Sequence, residues 1–218
     1  MNVKQIACFA KNFIYMAGLF MLPFTFNGCG GSDGGGASGD VGDNNPDLVV
    51  CMGDSITSGY NSLGDPYPSR LAVMSGKTVL NFGVPGVQSN YGTSLIGSVI
   101  NRKPGYVFIL YGSNDAIRGV DPDITKQHLR YIVSTCKANR CIPILATPPK
   151  MILGHRIYDG AASATAASIR ELAKEEGVAL VDLYSAFGDG TKYLNPEDGL
   201  HLSDEGGDFI AKKFNSKL

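Results

Sequence analysis

From Asp47 onward the chain repeats one arrangement: a short, mostly apolar run, a polar turn, then a longer stretch with apolar residues near helical spacing. The short runs are Leu48 to Met52, Thr78 to Phe82, Tyr106 to Tyr111, Ile142 to Ala146 and Val178 to Leu183. Runs of this length, apolar at consecutive positions and bounded by turn residues, fit strands buried on both faces. Helical patterns fall between them, around Pro68 to Ser75, Ser89 to Ile100, Asp123 to Asn139, Gly160 to Glu176 and after Ser203. In the helix after Asp123, the residues Ile124, Leu129, Ile132, Val133 and Cys136 recur near 3.6 spacing and predict one buried stripe. Strands alternating with helices predict βαβ units, hence an α/β fold with a parallel sheet covered on both faces. No internal repeat interrupts the pattern.

The first 46 residues follow different rules. Lys4 and Lys11 precede an apolar run from Phe13 to Phe26, broken by Pro23 and followed by Asn27-Gly28-Cys29. A charged start and an apolar run too short to span a bilayer predict an export signal over residues 1–28. A small residue before a cysteine resembles the lipobox of bacterial lipoproteins, with Cys29 as the lipidated first residue; an ordinary signal peptide cut nearby is the competing reading. Residues 29–46, rich in glycine and almost without apolar side chains, predict a disordered tether. The seventeen residues from Gly30 to Pro46 would span about 20–25 Å root-mean-square. Its aspartates at 33, 40 and 43 match no calcium loop, and solvation accounts for them.

Composition narrows the function. A chain of 218 residues holds one ordinary domain, here 47–218, beyond the signal and tether. Apolar residues at 44% and charged residues at 18% suit a globular enzyme. A formal net charge of −1 without a basic cluster argues against nucleic acid as the main partner.

Candidate chemistry lies in four short blocks. Ser55 stands in Gly53-Asp54-Ser55-Ile56-Thr57, directly after the first strand, where an open α/β sheet places its ligands. A serine hydroxyl needs a histidine base oriented by an acid, and Asp198-Gly199-Leu200-His201 supplies both. Asn81 to Gly86 and Gly112-Ser113-Asn114-Asp115 follow the second and third strands. Together the blocks resemble the GDSL family of esterases and lipases, the SGNH hydrolases. Gly-Asp-Ser-Ile-Thr differs from the name motif by isoleucine for leucine, and Gly-Ser-Asn-Asp from the usual third block by serine for threonine.

The resemblance implies a three-layer α/β/α sandwich with five parallel strands in the flavodoxin-like order 2-1-3-4-5, and no cofactor or metal. It implies Ser55 as nucleophile, His201 as base, Asp198 as orienting acid, and an oxyanion hole from the N–H groups of Ser55 and Gly86 and the side chain of Asn114. The implied activity is hydrolysis of carboxylic esters, small-molecule or lipid, with thioesters in range. A polysaccharide O-acetylesterase and a non-catalytic binding lipoprotein on the same sheet are the alternatives. An exported, monomeric protein is expected, outer-membrane or periplasmic and anchored through Cys29, with a secreted protein as the alternative.

The remaining candidates read as structural. Asp54 adjoins the nucleophile, poor geometry for a relay acid, so Asp54 and Asp115 are expected to hold loops through hydrogen bonds to backbone. His128 is expected on the exposed side of its helix, and His155 in a loop bordering the acyl pocket. Cys51 reads as a buried small hydrophobe, while Cys136 and Cys141 could form a disulfide or remain two thiols.

Overall fold

The computed structural model describes residue 37 and residues 39–218; the expected signal, Cys29 and the start of the tether lie outside the described residues. The elements run β1 (Asn45–Gly53), α1 (Ser55–Ser58), α2 (Tyr67–Ser75), β2 (Thr78–Gly83), α3 (Ser89–Ile100), β3 (Pro104–Leu110), α4 (Ser113–Ile117) and α5 (Pro122–Ala138). They continue with β4 (Ile142–Ala146), a 3-10 turn (Leu153–Tyr158), α6 (Asp159–Glu176), β5 (Ala179–Val181), α7 (Leu183–Ala186) and α8 (Asp204–Asn215). The five strands form one parallel sheet in the order 2-1-3-4-5, as the resemblance implies.

Consecutive apolar residues in a strand point to opposite faces, so a sheet covered on both sides must be apolar at every position. In β1, Val49 and Cys51 join Tyr67, Leu71, Phe108, Ile210 and Phe214 in the core beneath α2 and α8. Val50 and Met52 join Val107, Ile109, Leu129, Ile132 and Ile169 in the core beneath α3, α5 and α6. Phe108 of β3 stacks on Phe214 of α8, with centroids 4.3 Å apart. From β1 the chain crosses to β2 on one side and then to β3 on the other. This reversal opens a crevice beyond Gly53, Gly83 and Leu110, which lie level with one another in the register.

Several elements differ from expectation, each for a physical reason. The domain starts before Asp47: Asn45 N–H donates to the Lys103 carbonyl at 2.8 Å, and the Asn44 side chain donates to the Asn139 carbonyl at 2.8 Å. Ala37 N–H bonds the Lys217 carbonyl at 2.9 Å. This end of the expected tether is held mainly by hydrogen bonds, which apolar patterning does not report. Gly105 lets it approach, since a Cβ there would lie 2.9 Å from the Asn45 carbonyl oxygen.

In α5, Ile124 is 46% exposed and Thr125 is buried in its place. Five residues from 124 to 129 turn a helix about 140° beyond a full revolution, off the stripe, whereas 125 to 129 stays on it. β5 stops at Val181 because Asp182 caps α7 and pairs with Arg170 at 2.8 Å. The short helices α1, α4 and α7 have too few residues to show a period. Cys51, Cys136 and Cys141 are buried free thiols. Among the described residues no helix is long and apolar enough to cross a membrane.

Candidate active site

Ser55 is the first residue of α1, immediately after the turn that ends β1. A Cβ on Gly53 would collide with the Thr57 side chain and the Leu110 carbonyl, so only glycine lets α1 begin this close to the sheet. Asp54 caps the helix by accepting from Ile56 N–H at 2.9 Å, and Gly59 closes it in the left-handed conformation at φ +82°. The nucleophile candidate is thereby gripped from both sides, with its residue only 6% exposed.

His201 and Asp198 lie in the loop that leads into α8, which Ser203 caps through Gly206 N–H. The loop is folded onto itself: Asn195 N–H donates to the His201 carbonyl at 2.7 Å, and Gly199 N–H donates to the Asn195 carbonyl at 2.8 Å. The structure brings the three predicted residues together. Ser55 Oγ lies 3.0 Å from His201 Nε2, and His201 Nδ1 lies 2.7 Å from Asp198 Oδ2. With a proton on Nδ1 donated to the carboxylate, Nε2 is left to accept from the serine hydroxyl. Burial pushes the Asp198 carboxyl up, but the N–H groups of Leu200 and His201 and the imidazole outweigh it, so its pKa falls below the ordinary value. Asp198 is thus held ionised, as an orienting acid must be. The Tyr60 ring meets the His201 ring edge-on at 5.6 Å.

The loops expected to hold the oxyanion donors meet beside this pair. Val84 N–H bonds the Gly53 carbonyl at 3.0 Å, carrying the loop after β2 past the end of β1. Gly86 adopts φ +76°, and a Cβ there would meet nothing within 4 Å; its left-handed backbone, not crowding, calls for glycine. Crowding applies to Gly83, where a Cβ would strike the backbone of Thr57 and Ser58. Asn114 is the second residue of α4. Burial pushes Asp54 up to about 7, aided by the Asp115 charge, while the Ile56 N–H and the Asn114 amide pull the other way. Arg118, closing α4, reaches the Gly86 carbonyl at 3.4 Å.

Asp54 and Asp115 both hold loops, Asp54 through Ile56 N–H and Asp115 through Ser89 N–H at 2.9 Å. His128 departs from expectation: it is half-buried, and its Nδ1 lies 2.9 Å from the Ser89 hydroxyl, which itself donates to Asp115. His155 touches the loop of Asp198 and His201, with Nδ1 2.8 Å from the Asp198 carbonyl oxygen. Two asparagines escaped the sequence reading. Asn61 Nδ2 lies 2.5 Å from Asp198 Oδ2, and Asn195 Nδ2 donates to the Asn61 carbonyl at 3.0 Å. Asn61 stands at φ +52° in a turn-rich stretch, and an asparagine there is the one local signal of a left-handed position.

Exposed apolar side chains flank the loop of Asp198 and His201 on two segments. Tyr60 and Leu63 lie on the segment after α1, and Leu63 N–H bonds the Leu202 carbonyl at 2.9 Å. Leu153 and Ile157 lie on the 3-10 turn, and the adjoining Ile152 N–H bonds the Gly199 carbonyl at 2.9 Å. A cavity of about 430 Å³ lies along this turn, lined by Lys150, Ile152, Leu153, Arg156 and Asp189 among others.

A parallel 2-1-3-4-5 sheet with a serine after its first strand, facing a histidine and an aspartate from the last loop, defines an SGNH-type hydrolase fold. The chain belongs to the GDSL-like Lipase/Acylhydrolase family, whose model matches residues 51–208. It is 30% identical over 173 residues to thioesterase 1/protease 1/lysophospholipase L1 of Escherichia coli K12, covering 76% of this chain and 80% of that protein. It is 29% identical over 160 residues to the uncharacterized lipoprotein YqeF of Bacillus subtilis, covering 66% of this chain and 60% of that protein. Among solved structures, a lipolytic protein of the G-D-S-L family from Desulfitobacterium hafniense superposes with a TM-score of 0.69 at 27% identity, covering 78% of this chain and 99% of that one.

Proposed function

We propose that this protein hydrolyses carboxylic esters through an acyl-enzyme on Ser55. The observation that carries the reading is the unbroken relay from Ser55 Oγ to His201 Nε2 at 3.0 Å and from His201 Nδ1 to Asp198 Oδ2 at 2.7 Å. Ser55 Oγ attacks the ester carbonyl while His201 takes its proton, and Asp198 steadies the imidazolium that forms. The carbonyl oxygen gains a negative charge, received by the N–H groups of Ser55 and Gly86 and the amide of Asn114. Each pre-aimed donor is worth about 3–4 kcal/mol. Collapse expels the alcohol, protonated by His201; water then attacks the acyl-enzyme by the same path, releasing the acid and restoring Ser55. A thioester would follow the same course with a thiol as leaving group.

The exposed Tyr60, Leu63, Leu153 and Ile157 on the segments flanking the catalytic loop support an ester with an apolar acyl chain over a small acetyl group on a polysaccharide. Export is supported by the charged and apolar leader and by the lipoprotein name of the Bacillus relative.

Fluorophosphonate labelling joined to an acyl-chain-length series tests the reading. Wild type is expected to be labelled at Ser55, Ser55→Ala to lose both label and turnover at an unchanged melting temperature, and esters of medium chains to outpace acetate. Turnover by Ser55→Ala near that of wild type would refute the nucleophile, and preference for acetylated xylan would transfer the reading to polysaccharide.

A further inference from the structure

We propose that Asn61 is a positioning residue of the relay, pinning the Asp198 carboxylate to the segment that also carries the nucleophile. The proposal rests on the reading of Ser55, His201 and Asp198 as a triad.

Four hydrogen bonds converge on the Asp198 carboxylate. Oδ1 accepts from Leu200 N–H at 2.8 Å and His201 N–H at 3.0 Å; Oδ2 accepts from His201 Nδ1 at 2.7 Å and from Asn61 Nδ2 at 2.5 Å. The first three donors belong to the catalytic loop itself, so they set the carboxylate against its own loop and against nothing else. Asn61 is, among the described residues, the donor that reaches it from elsewhere, across 137 residues of chain. A neutral amide suits the place, because it donates firmly without a proton to lose and without a charge that would compete with the imidazolium.

The segment bearing Asn61 is itself fastened at both ends of the relay. Gly59 N–H and Tyr60 N–H both bond the Ser55 carbonyl, at 3.0 and 3.1 Å, and Leu63 N–H bonds the Leu202 carbonyl at 2.9 Å. Asn195, 1% exposed, donates to the Asn61 carbonyl at 3.0 Å. The backbone of Asn61 is left-handed at φ +52°, a state that asparagine tolerates and most residues resist. Asn61 is nevertheless exposed, so no core packing requires it; beyond its backbone conformation, what its side chain supplies is the bond to Asp198. Among the described residues, two further titratable side chains contact the pair: Tyr60, edge-on to the His201 ring, and His155, bonded to the Asp198 carbonyl rather than its carboxylate.

The test compares purified wild type, Asn61→Gly and Asn61→Asp for kcat, KM, the pH profile of kcat/KM and melting temperature, on a chromogenic ester. Glycine keeps the left-handed backbone and removes only the amide. For Asn61→Gly, kcat should fall about tenfold with KM within about twofold and the melting temperature nearly unchanged. For Asn61→Asp, which replaces the donor by a negative charge, the acid limb of the profile should move up by about one pH unit, because that charge favours the protonated imidazole. Unchanged kcat and pH profiles in both variants, or a change confined to KM, would overturn the proposal. So would a loss of kcat that tracks a large fall in melting temperature with the profile unmoved. Fluorophosphonate labelling of wild type separates the two readings: no label on Ser55 sinks the triad and the proposal with it, whereas a labelled wild type with unaffected variants sinks the proposal alone.

Discussion

Asp115 accepts from both the backbone N–H and the hydroxyl of Ser89, at 2.9 and 2.5 Å. That pair joins the start of α3 to α4, and so ties the loop carrying Gly86 to the helix carrying Asn114. Thr125 of α5 donates to the same carboxylate at 3.2 Å, so three elements meet on one buried side chain. On the proposed mechanism the oxyanion donors must be in place before the transition state forms, and the two loops are fastened to each other rather than to the substrate.

Replacing Asp115 by alanine should therefore cost both stability and rate. The variant strands the Ser89 N–H and the Thr125 hydroxyl in a site that water reaches poorly, at about 2–4 kcal/mol, while the Ser89 hydroxyl keeps His128. A scanning melt should show a drop of about 5–15 °C, given about 2–4 °C per kcal/mol in a domain of this size. Steady-state kinetics should show kcat falling by more than KM changes, because the untethered loops misplace donors without removing a substrate contact.

Two glycines of the second block should separate cleanly. In Gly83→Ala the new methyl meets the backbone of Ser58 and Thr57, which cannot yield without moving α1. The expected loss is about 3 kcal/mol or more. Gly86→Ala meets no atom within 4 Å and bears only the strain of φ +76°, about 1 kcal/mol. Denaturant midpoints of the two variants should differ in that order; equal midpoints would contradict the close approach of β2 to α1.

The buried Asp54 makes stability depend on pH in a direction opposite to that of most carboxylates. Burial raises its folded-state pKa to about 7 from an ordinary 3.8, so the native state binds a proton that the unfolded state has released. Its contribution is complete below about pH 4 and is lost as pH rises toward 7. Asn serves equally as a helix cap but does not titrate. Unfolding free energies of wild type and Asp54→Asn, measured from pH 4 to 8, should show the wild type losing ground to the variant as pH rises. Parallel curves would mean that Asp54 is ionised throughout.

The strands, and the blocks that carry Ser55, Asn114 and His201, were readable from the chain because their signals are local. Val49 to Met52 are apolar at every step since helices lie on both faces, and Ser55, Asn114 and His201 sit in short blocks directly after strands or before a helix. Ile124 was misplaced because apolar identity outweighed its angular position, 140° off the stripe. His128 was read as exposed because its partner, Ser89, lies on another helix. Asn61 left almost no trace, since its partner is 137 residues away.

The amino-acid sequence by itself determined the alternation of buried strands and amphipathic helices, and the types and order of the reacting groups. Those depend on the chemistry of each residue and of its near neighbours. Tertiary structure alone decided that the hydroxyl of Ser55 stands 3.0 Å from the imidazole of His201, and that Asn61 reaches across to Asp198. Those distances arise where separate loops are brought to one end of the sheet by strand order, a property of the packed chain that no local run of residues contains.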